Sequence, residues 1–217
     1  MELSQAMRTT ASTRLFGPGP VSDELLHRVL DDARFAPSGG NRQGWRVVVV
    51  RDAERRARLQ ELYLRSWRPY HEELARRAPD DAARRRLAAA NHYAEHLADL
   101  PVHLVVTVDL AALLITDARL DRPSIIGGAS IYPFVHNVLL GLRAAGLGAS
   151  LTTLIVPQEA EVKELLEIPD GFAVAAHIGV GRPARGLPTR LRRRPVEEFA
   201  TVDRFTGPPL RPGPAGD

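Results

Sequence analysis

Between Ser22 and Pro37, apolar residues recur at the three-to-four-residue spacing of an amphipathic helix. Ser22 suits the N-cap position, and two acidic residues follow it where the first turn of a helix favours negative charge. The apolar positions are Leu25, Leu26, Val29, Leu30 and Ala33. We therefore expect an amphipathic helix that begins after Ser22 and stops before Pro37.

Two apolar runs predict buried strands. Residues 45–50 contain four consecutive valines, which favours a central strand buried on both faces, and residues 102–108 form a second such run. The charged stretches 54–77 and 81–98 lie between them and predict two helices. Because these helices interrupt the strands, we interpret residues 51–100 as a helical insertion that shapes the mouth of a pocket.

The second half of the chain alternates between helical and extended patterns. Residues 130–145 predict a buried helix with Pro133 in its first turn and Gly146 as its C-terminal cap. Residues 149–155 and 172–180 predict strands, and a short helix from Pro157 to Leu166 lies between them. We expect one domain over residues 1–206 and a flexible tail over residues 207–217, which are rich in proline and glycine.

The composition fits a single domain: the chain has 217 residues, 44% of them hydrophobic. It contains no cysteine, which excludes disulfides, a thiolate nucleophile and metal sites with sulfur ligands, and we expect no metal. The longest apolar stretch, residues 102–115, is interrupted by polar residues and is too short to cross a bilayer. We expect a cytoplasmic protein without membrane contact.

The charge pattern gives no sign of a nucleic-acid partner. The net charge is only +3, and along residues 51–100 basic and acidic side chains are interleaved, as on a solvated helix face. The exception is residues 190–194, where four arginines stand without an acid among them. This cluster is a candidate anion site, although a solvent-exposed basic arm is the alternative.

Residues 36–45 form a polar, glycine-rich segment between the first predicted helix and the first predicted strand. Glycines let the backbone approach a ligand closely, while Ser38, Asn41 and Gln43 can hydrogen-bond the polar edge of a planar molecule. Such residues are also common in ordinary loops. Spacing alone leaves both interpretations open.

Five segments, in the correct order, resemble the nitroreductase family. The segment from Ala36 to Trp45 is similar to the family's signature of Ala-Pro-Ser, a small residue, Asn, a variable residue, Gln and an aromatic. The other segments are residues 12–16, 21–25, 130–148, and 178–183 with the arginine cluster before Pro195. The resemblance extends from about Ser12 to Phe199.

This resemblance implies an α+β fold, a three-layer α/β/α sandwich with a mixed sheet, whose C-terminal arm is exchanged in a homodimer. It implies FMN as the cofactor and NADH or NADPH as the co-substrate. Hydride would pass to the flavin and then, in a ping-pong reaction, to an oxidised acceptor such as a nitroaromatic or a quinone. We expect no catalytic side chain, because the flavin carries the chemistry.

The resemblance also assigns the flavin contacts. Arg193 and Arg194, with Arg192, match the family's contact to the phosphate, where guanidinium groups can form bidentate bonds. Arg14 matches the basic residue near the pyrimidine edge of the ring, and the backbone of residues 151–154 matches the segment at the reactive nitrogen. The complete set is Ser12, Thr13, Arg14, Pro37, Ser38, Gly39, Asn41, Gln43, Leu151, Thr152, Thr153, Arg192, Arg193 and Arg194.

The sequence departs from the family pattern at two places. Most members have an arginine just before the position of Ser12, whereas this chain has Thr10 and Ala11 there. His136 stands where the central helix commonly has glutamine, and we favour a histidine of the core over a titratable group near the flavin.

Several other functions are compatible with parts of the sequence. A specialised biosynthetic flavoenzyme, either a dehydrogenase or a flavin-cleaving enzyme, would use the same fold, and a flavin-binding module would bind without turnover. Residues 179–184 match the dinucleotide-binding glycine pattern, but Pro183 and Pro188 disfavour the helix that this site needs. His92 and His96 have the spacing of a zinc-peptidase motif, yet no third ligand is evident.

Overall fold

The computed structural model describes residues 1–213. This part of the chain contains six α-helices and five β-strands. The helices are α1 (Leu3–Thr9), α2 (Asp23–Ala33), α3 (Ala53–Arg76), α4 (Asp81–Glu95), α5 (Tyr132–Ala144) and α6 (Glu159–Leu166). The strands are β1 (Phe16–Gly17), β2 (Trp45–Val50), β3 (Val102–Asp109), β4 (Gly148–Thr152) and β5 (Phe172–Pro183). None of these helices is long and apolar enough to cross a membrane.

One sheet lies between two layers of helices. Its main strand order is β1-β5-β3-β2, and β4 also pairs with β5. The ladders are antiparallel, while an isolated parallel bridge joins Ser12 to Ala149. Helices α2 and α5 pack on the face that carries Leu104 and Val106, and α3 and α6 pack on the face that carries Val105. The three-layer α+β sandwich with a mixed sheet is thus confirmed.

Most of the predicted helices are present close to their expected bounds. The side chain of Ser22 accepts a hydrogen bond from the backbone N–H of Leu25 and so caps α2. Helix α5 is followed by Gly146, whose φ of +74° ends the helical path and lets the N–H of Leu147 donate to the carbonyl of Leu142. Helix α1 was not predicted, because its short pattern buries only Ala6 and Thr9.

The prediction that residues 45–50 form a central strand is wrong. Strand β2 lies at an edge of the sheet, where it pairs only with β3 among the described strands. Val49 is 39% exposed, and Val50 is the only fully buried valine of the four. Valine favours the extended backbone of any strand, whatever its place in the sheet. A valine run therefore does not distinguish a central strand from an edge strand whose side chains are covered by another part of the protein.

The C-terminal arm folds back on itself in its described part. Thr201 bridges to Pro209, and the N–H of Leu210 donates to the carbonyl of Ala200. The apolar side chain of Phe205 is 98% exposed beside this turn. Residues 207–213 of the predicted tail belong to this arm, and residues 214–217 lie outside the described residues.

A pair of buried histidines lies in the sheet beneath α3. Nε2 of His103 is 2.7 Å from the carbonyl oxygen of Leu97, so Nε2 carries the proton and Nδ1 is free to accept. Nε2 of His177 is 3.1 Å from that Nδ1 and must be the donor. Among the described residues, Nδ1 of His177 finds no hydrogen-bond partner. Both imidazoles are therefore neutral in the fold, each as the Nε2–H tautomer.

Stability should fall when the pH is lowered through the titration range of these histidines. Burial lowers the pKa of His103 from 6.5 to about 4 and that of His177 well below its usual value. The unfolded chain consequently binds more protons between pH 6.5 and 4, so protonation favours unfolding there. We expect His103 alone to lose about 2 kcal/mol between pH 7.5 and 5.

Urea unfolding at pH 7.5, 6.5, 5.5 and 5 measures this loss before carboxylates begin to titrate. His177→Gln should show a smaller loss, because it removes one titrating group while its amide can still donate to His103. His27→Gln, at an exposed position of α2, is the matched control and should behave like the wild type. An identical loss in all three proteins would contradict the prediction.

Candidate functional site

The segment before β1 lies along β4. Ser12 forms its parallel bridge with Ala149, and the N–H of Thr13 donates to the carbonyl of Ala149 at 2.8 Å. Gly148 permits this approach, because a Cβ there would stand 2.7 Å from the methyl carbon of Thr13. The contact brings two widely separated parts of the predicted site together, residues 12–14 and residues 151–152.

A cavity of about 320 Å³ opens beside this contact, and we call it the basic cavity. Ser12 contributes a hydroxyl, while Arg143 and Arg193 contribute positive charge. Nε of Arg143 donates to Oγ1 of Thr9 at 3.1 Å, and Nη2 donates to the carbonyl of Pro188 at 3.2 Å, so its guanidinium is held in place. This donor set suits a phosphate or another small anion. Arg143 was not predicted as a site residue.

His136 also lines the basic cavity, and its side chain is exposed. The preference for a core histidine is therefore wrong. Helix α5 buries Phe134, Val135 and Val138 against the sheet. His136 lies on another side of this helix, which faces the basic cavity. An imidazole there can reach an anion in the cavity, which a buried core histidine could not do.

A larger cavity of about 490 Å³ lies between β4 and the helical insertion, and we call it the aromatic cavity. Arg14, Leu151 and Thr152 form one side of it. Leu151 lines both cavities, so the two are neighbours along β4. The opposite wall comes from α3, α4 and the turn that joins them, with Tyr63, Trp67, Tyr70, Leu74, Arg77, Pro79, Arg86, Leu87 and Tyr93.

Two tyrosines of the aromatic cavity remain protonated at neutral pH. Burial raises the pKa of Tyr63, and contact with the hydroxyl of Thr152 opposes this only in part. Burial likewise raises the pKa of Tyr93, whose hydroxyl donates to the carbonyl of Ser150 at 3.3 Å. Both phenols therefore present neutral polar groups beside β4.

The glycine-rich loop has a defined internal geometry. Oγ of Ser38 accepts from the N–H of Gln43 at 3.0 Å, and the N–H of Gly39 donates to Oγ of Ser130 at 3.0 Å. Nε2 of Gln43 donates to Oδ1 of Asn41 at 3.1 Å. Asn41 and Gln43 have φ values of 54° and 49°, and such left-handed backbone in non-glycine residues costs about 1 kcal/mol each.

Nine of the fourteen predicted contacts, Thr13 among them, line neither cavity within this single chain. The loop residues Pro37, Ser38, Gly39, Asn41 and Gln43 line neither of them. Thr153 is exposed, and its carbonyl accepts from the N–H of Val156. Arg192 and Arg194 are exposed as well, and of the arginine cluster only Arg193 reaches the basic cavity.

Neither the glycine pattern of residues 179–184 nor the pair His92 and His96 has the surroundings that its motif requires in the described residues. Strand β5 continues through Pro183 and is followed by irregular residues, not by a helix. Nδ1 of His96 lies 2.8 Å from the carbonyl of His92, one turn earlier in α4, and the two rings are tilted by 32° with centroids 4.1 Å apart. Within residues 1–213 no group of three side chains is placed to hold a metal.

Comparison with known proteins relates this geometry to a family. Residues 7–182 match the model of the nitroreductase family. A 5,6-dimethylbenzimidazole synthase of Rhodospirillum rubrum is 30% identical over 81% of this chain and 79% of its own length. A nitrobenzene nitroreductase of Ectopseudomonas oleovorans is 25% identical over 92% of this chain and 96% of its own.

Solved structures show the same fold. An oxidised iodotyrosine deiodinase bound to FMN and 3-iodo-L-tyrosine superposes with a TM-score of 0.71. The alignment covers 92% of this chain and all of that one, at 22% identity. At this level of identity the likeness concerns the fold, which agrees with the sandwich described above.

Gly148→Ala should destabilise the protein through the contact with Thr13. The added methyl group would lie within 3 Å of three side-chain atoms of Thr13, so the strand or residues 12–14 must shift. Overpacking of this kind costs about 1–3 kcal/mol. Gly171→Ala is the control, because a Cβ at Gly171 meets nothing within 4 Å. Thermal unfolding compares the two variants, and equal midpoints would show that the contact does not constrain residues 12–14.

Proposed function

The chain belongs to the nitroreductase family, whose members are oxidoreductases, and we propose that it is an FMN-dependent enzyme that uses NADH or NADPH to reduce an oxidised acceptor. The observation that carries this proposal is the adjacency of the basic and aromatic cavities along β4. One offers cationic and hydroxyl groups, the other offers an aromatic lining, and Leu151 belongs to both. A ligand with a phosphate at one end and a flat ring at the other would match this pair, with its phosphate in the basic cavity and its ring in the aromatic cavity.

The side chains of the basic cavity fit the phosphate of FMN. Ser12 can donate one hydrogen bond, and Arg193 can donate two to a phosphate dianion. The fixed guanidinium of Arg143 adds positive charge on the same side. Arg143 thus offers a cation where Thr10 and Ala11 replace the arginine that most family members have before Ser12.

The side of the aromatic cavity formed by Arg14, Leu151 and Thr152 would hold the flavin ring. Arg14 lines this cavity and places a positive charge near the phenols of Tyr63 and Tyr93, which remain neutral. A cation at that position would stabilise the negative charge of a reduced flavin. Bound FMN would supply the redox chemistry, taking hydride from the nicotinamide and passing reducing equivalents to the acceptor.

We further propose that the site is completed by a second copy of the chain. The loop of residues 37–43 carries five of the predicted flavin contacts, yet it lines neither cavity of its own chain. The exposed edge of β2 and the exposed Phe205 of the C-terminal arm offer surfaces that an exchanged arm could cover. In a homodimer, the partner's loop would then supply the missing contacts.

A biosynthetic flavoenzyme is the second candidate, because the Rhodospirillum relative is named for synthesis of 5,6-dimethylbenzimidazole. That product contains the same dimethylbenzene ring as a flavin. Incubation of the protein with FMN, NADPH and air, followed by chromatography, tests for its release. Detection of 5,6-dimethylbenzimidazole would replace the acceptor-reducing proposal, whereas intact FMN would support it.

The visible spectrum is the first experiment. We expect the protein to retain a flavin spectrum after FMN addition and gel filtration, and the spectrum should bleach anaerobically with NADH or NADPH and return when a quinone or nitroaromatic is added. A retained spectrum that neither nicotinamide bleaches would instead indicate a flavin-binding module without turnover.

Arg14→Ala combined with Arg193→Ala should weaken FMN binding on the order of tenfold to a hundredfold, because two charge-assisted contacts are lost. The control is Arg28→Ala with Arg190→Ala, which removes the same charge from exposed positions that line neither cavity. Fluorescence titration of FMN gives both dissociation constants. Equal constants for the two double variants would refute the assignment of Arg14 and Arg193.

A further inference from the structure

One wall of the aromatic cavity is a row of aromatic side chains on α3. Tyr63, Trp67 and Tyr70 are spaced four and three residues apart and therefore share a helix face. The rings of Tyr63 and Trp67 are nearly parallel, with centroids 6.0 Å apart, and Tyr70 meets Trp67 edge-on at 6.0 Å. Nε1 of Trp67 donates to Oδ1 of Asn91 on α4, which fixes the indole. This wall favours a planar, aromatic ligand.

The charged side chains of the same cavity are all arginines. Arg14 lies on the β4 side of the cavity, Arg77 at the end of α3, and Arg86 on α4. None of the acidic residues that the structure describes lines the cavity. Arg77 is paired with Glu73 outside the lining. Within residues 1–213, Arg14 and Arg86 form no ion pair with an acid. Charges of one sign in a cleft with apolar walls concentrate an ion of the opposite sign.

The tyrosines do not offset this charge. The hydroxyl groups of Tyr63 and Tyr93 are kept protonated by burial, which raises the pKa of both. Tyr70 is 47% exposed and contributes a further neutral ring at the mouth. The cavity therefore combines aromatic surfaces with an uncompensated positive charge.

We propose that the aromatic cavity selects planar aromatic acids, with the ring of the ligand against the aromatic row of α3 and its carboxylate bound by Arg86. This inference rests on the proposed function, in which the flavin ring lies on the β4 side of this cavity, and it places the oxidised acceptor on the opposite side and narrows it to a chemical class. Arg14 is assigned to the flavin, and Arg77 is engaged by Glu73. Of the insertion's arginines that line the cavity, Arg86 is therefore the one without an acidic partner among the described residues. A guanidinium matches the planar fork of a carboxylate.

The test compares 4-nitrobenzoate with 4-nitrobenzamide, a neutral molecule of nearly the same shape. Binding is followed by quenching of Trp67 fluorescence in a Trp45→Phe background, which leaves Trp67 as the only tryptophan. Phenylalanine preserves the stacking of residue 45 on Phe134, which lies in the other helix layer. The full chain is used after FMN addition and gel filtration, and its flavin spectrum is recorded on the same sample.

We expect the acid to bind more tightly than the amide, and Arg86→Gln to raise the Kd of the acid about five- to tenfold, as for the loss of one partly screened charged hydrogen bond. The Kd of the amide should change less than twofold. Arg85→Gln is the matched control, because Arg85 is exposed on the same helix and does not line the cavity. It should leave both constants unchanged.

Equal affinities for the acid and the amide, or equal effects of Arg86→Gln and Arg85→Gln, would overturn the proposal. The proposal would also be overturned if Arg86→Gln lowered the affinity only for adenosine 2′,5′-bisphosphate. Arg86 would then bind a nucleotide phosphate and not a carboxylate. Quenching does not require reduction of the flavin. A protein that prefers the acid but shows no bleaching by NADH or NADPH would retain this inference and lose the proposed function.

Discussion

The antiparallel ladder between β3 and β5 is the constraint on which the other elements depend. Every residue of β3 up to Val108 is buried, and β5 pairs with β3, β4 and β1 along its length. Because both faces of β3 are covered, its register fixes which side chains meet α2 and α5 and which meet α3 and α6. The same ladder sets the two imidazoles side by side, since His103 and His177 lie on these two strands. Through β5 it also positions β4, and with β4 the edge that both cavities share.

The sequence predicted those helix boundaries that are set by neighbouring residues. Helix α2 has its own cap at Ser22, and the end of α5 is determined by the positive φ that Gly146 adopts without steric cost. The position of β2 in the sheet has no local cause. A run of valines has the same preference in a central strand and at an edge, and only the pairing partners, which are remote in sequence, distinguish the two.

The sequence likewise predicted part of the candidate site. The resemblance selected Ser12, Arg14, Leu151, Thr152 and Arg193, and the fold brings these residues to the neighbouring cavities. Arg143 and His136 were not assigned to the site, because the side of α5 that they occupy is determined by its packing on the sheet. The aromatic row on α3 did have a signal, the spacing of Tyr63, Trp67 and Tyr70, but the same spacing is typical of an ordinary core face. Which contacts a second chain would supply cannot be read from one sequence, since the loop of residues 37–43 is consistent with either role.

The helical insertion separates two strands that are immediate neighbours. Val50, at the end of β2, is paired with His103 near the start of β3, so a tight hairpin turn could in principle join them. Helices α3 and α4 thus occupy the place of a hairpin loop, and they contribute one whole wall of the aromatic cavity. Evolution can therefore lengthen, shorten or exchange this single contiguous segment while the strand register on either side of it stays the same. Changes confined to this segment would reshape one wall of the aromatic cavity and leave the lining residues on β4 in place.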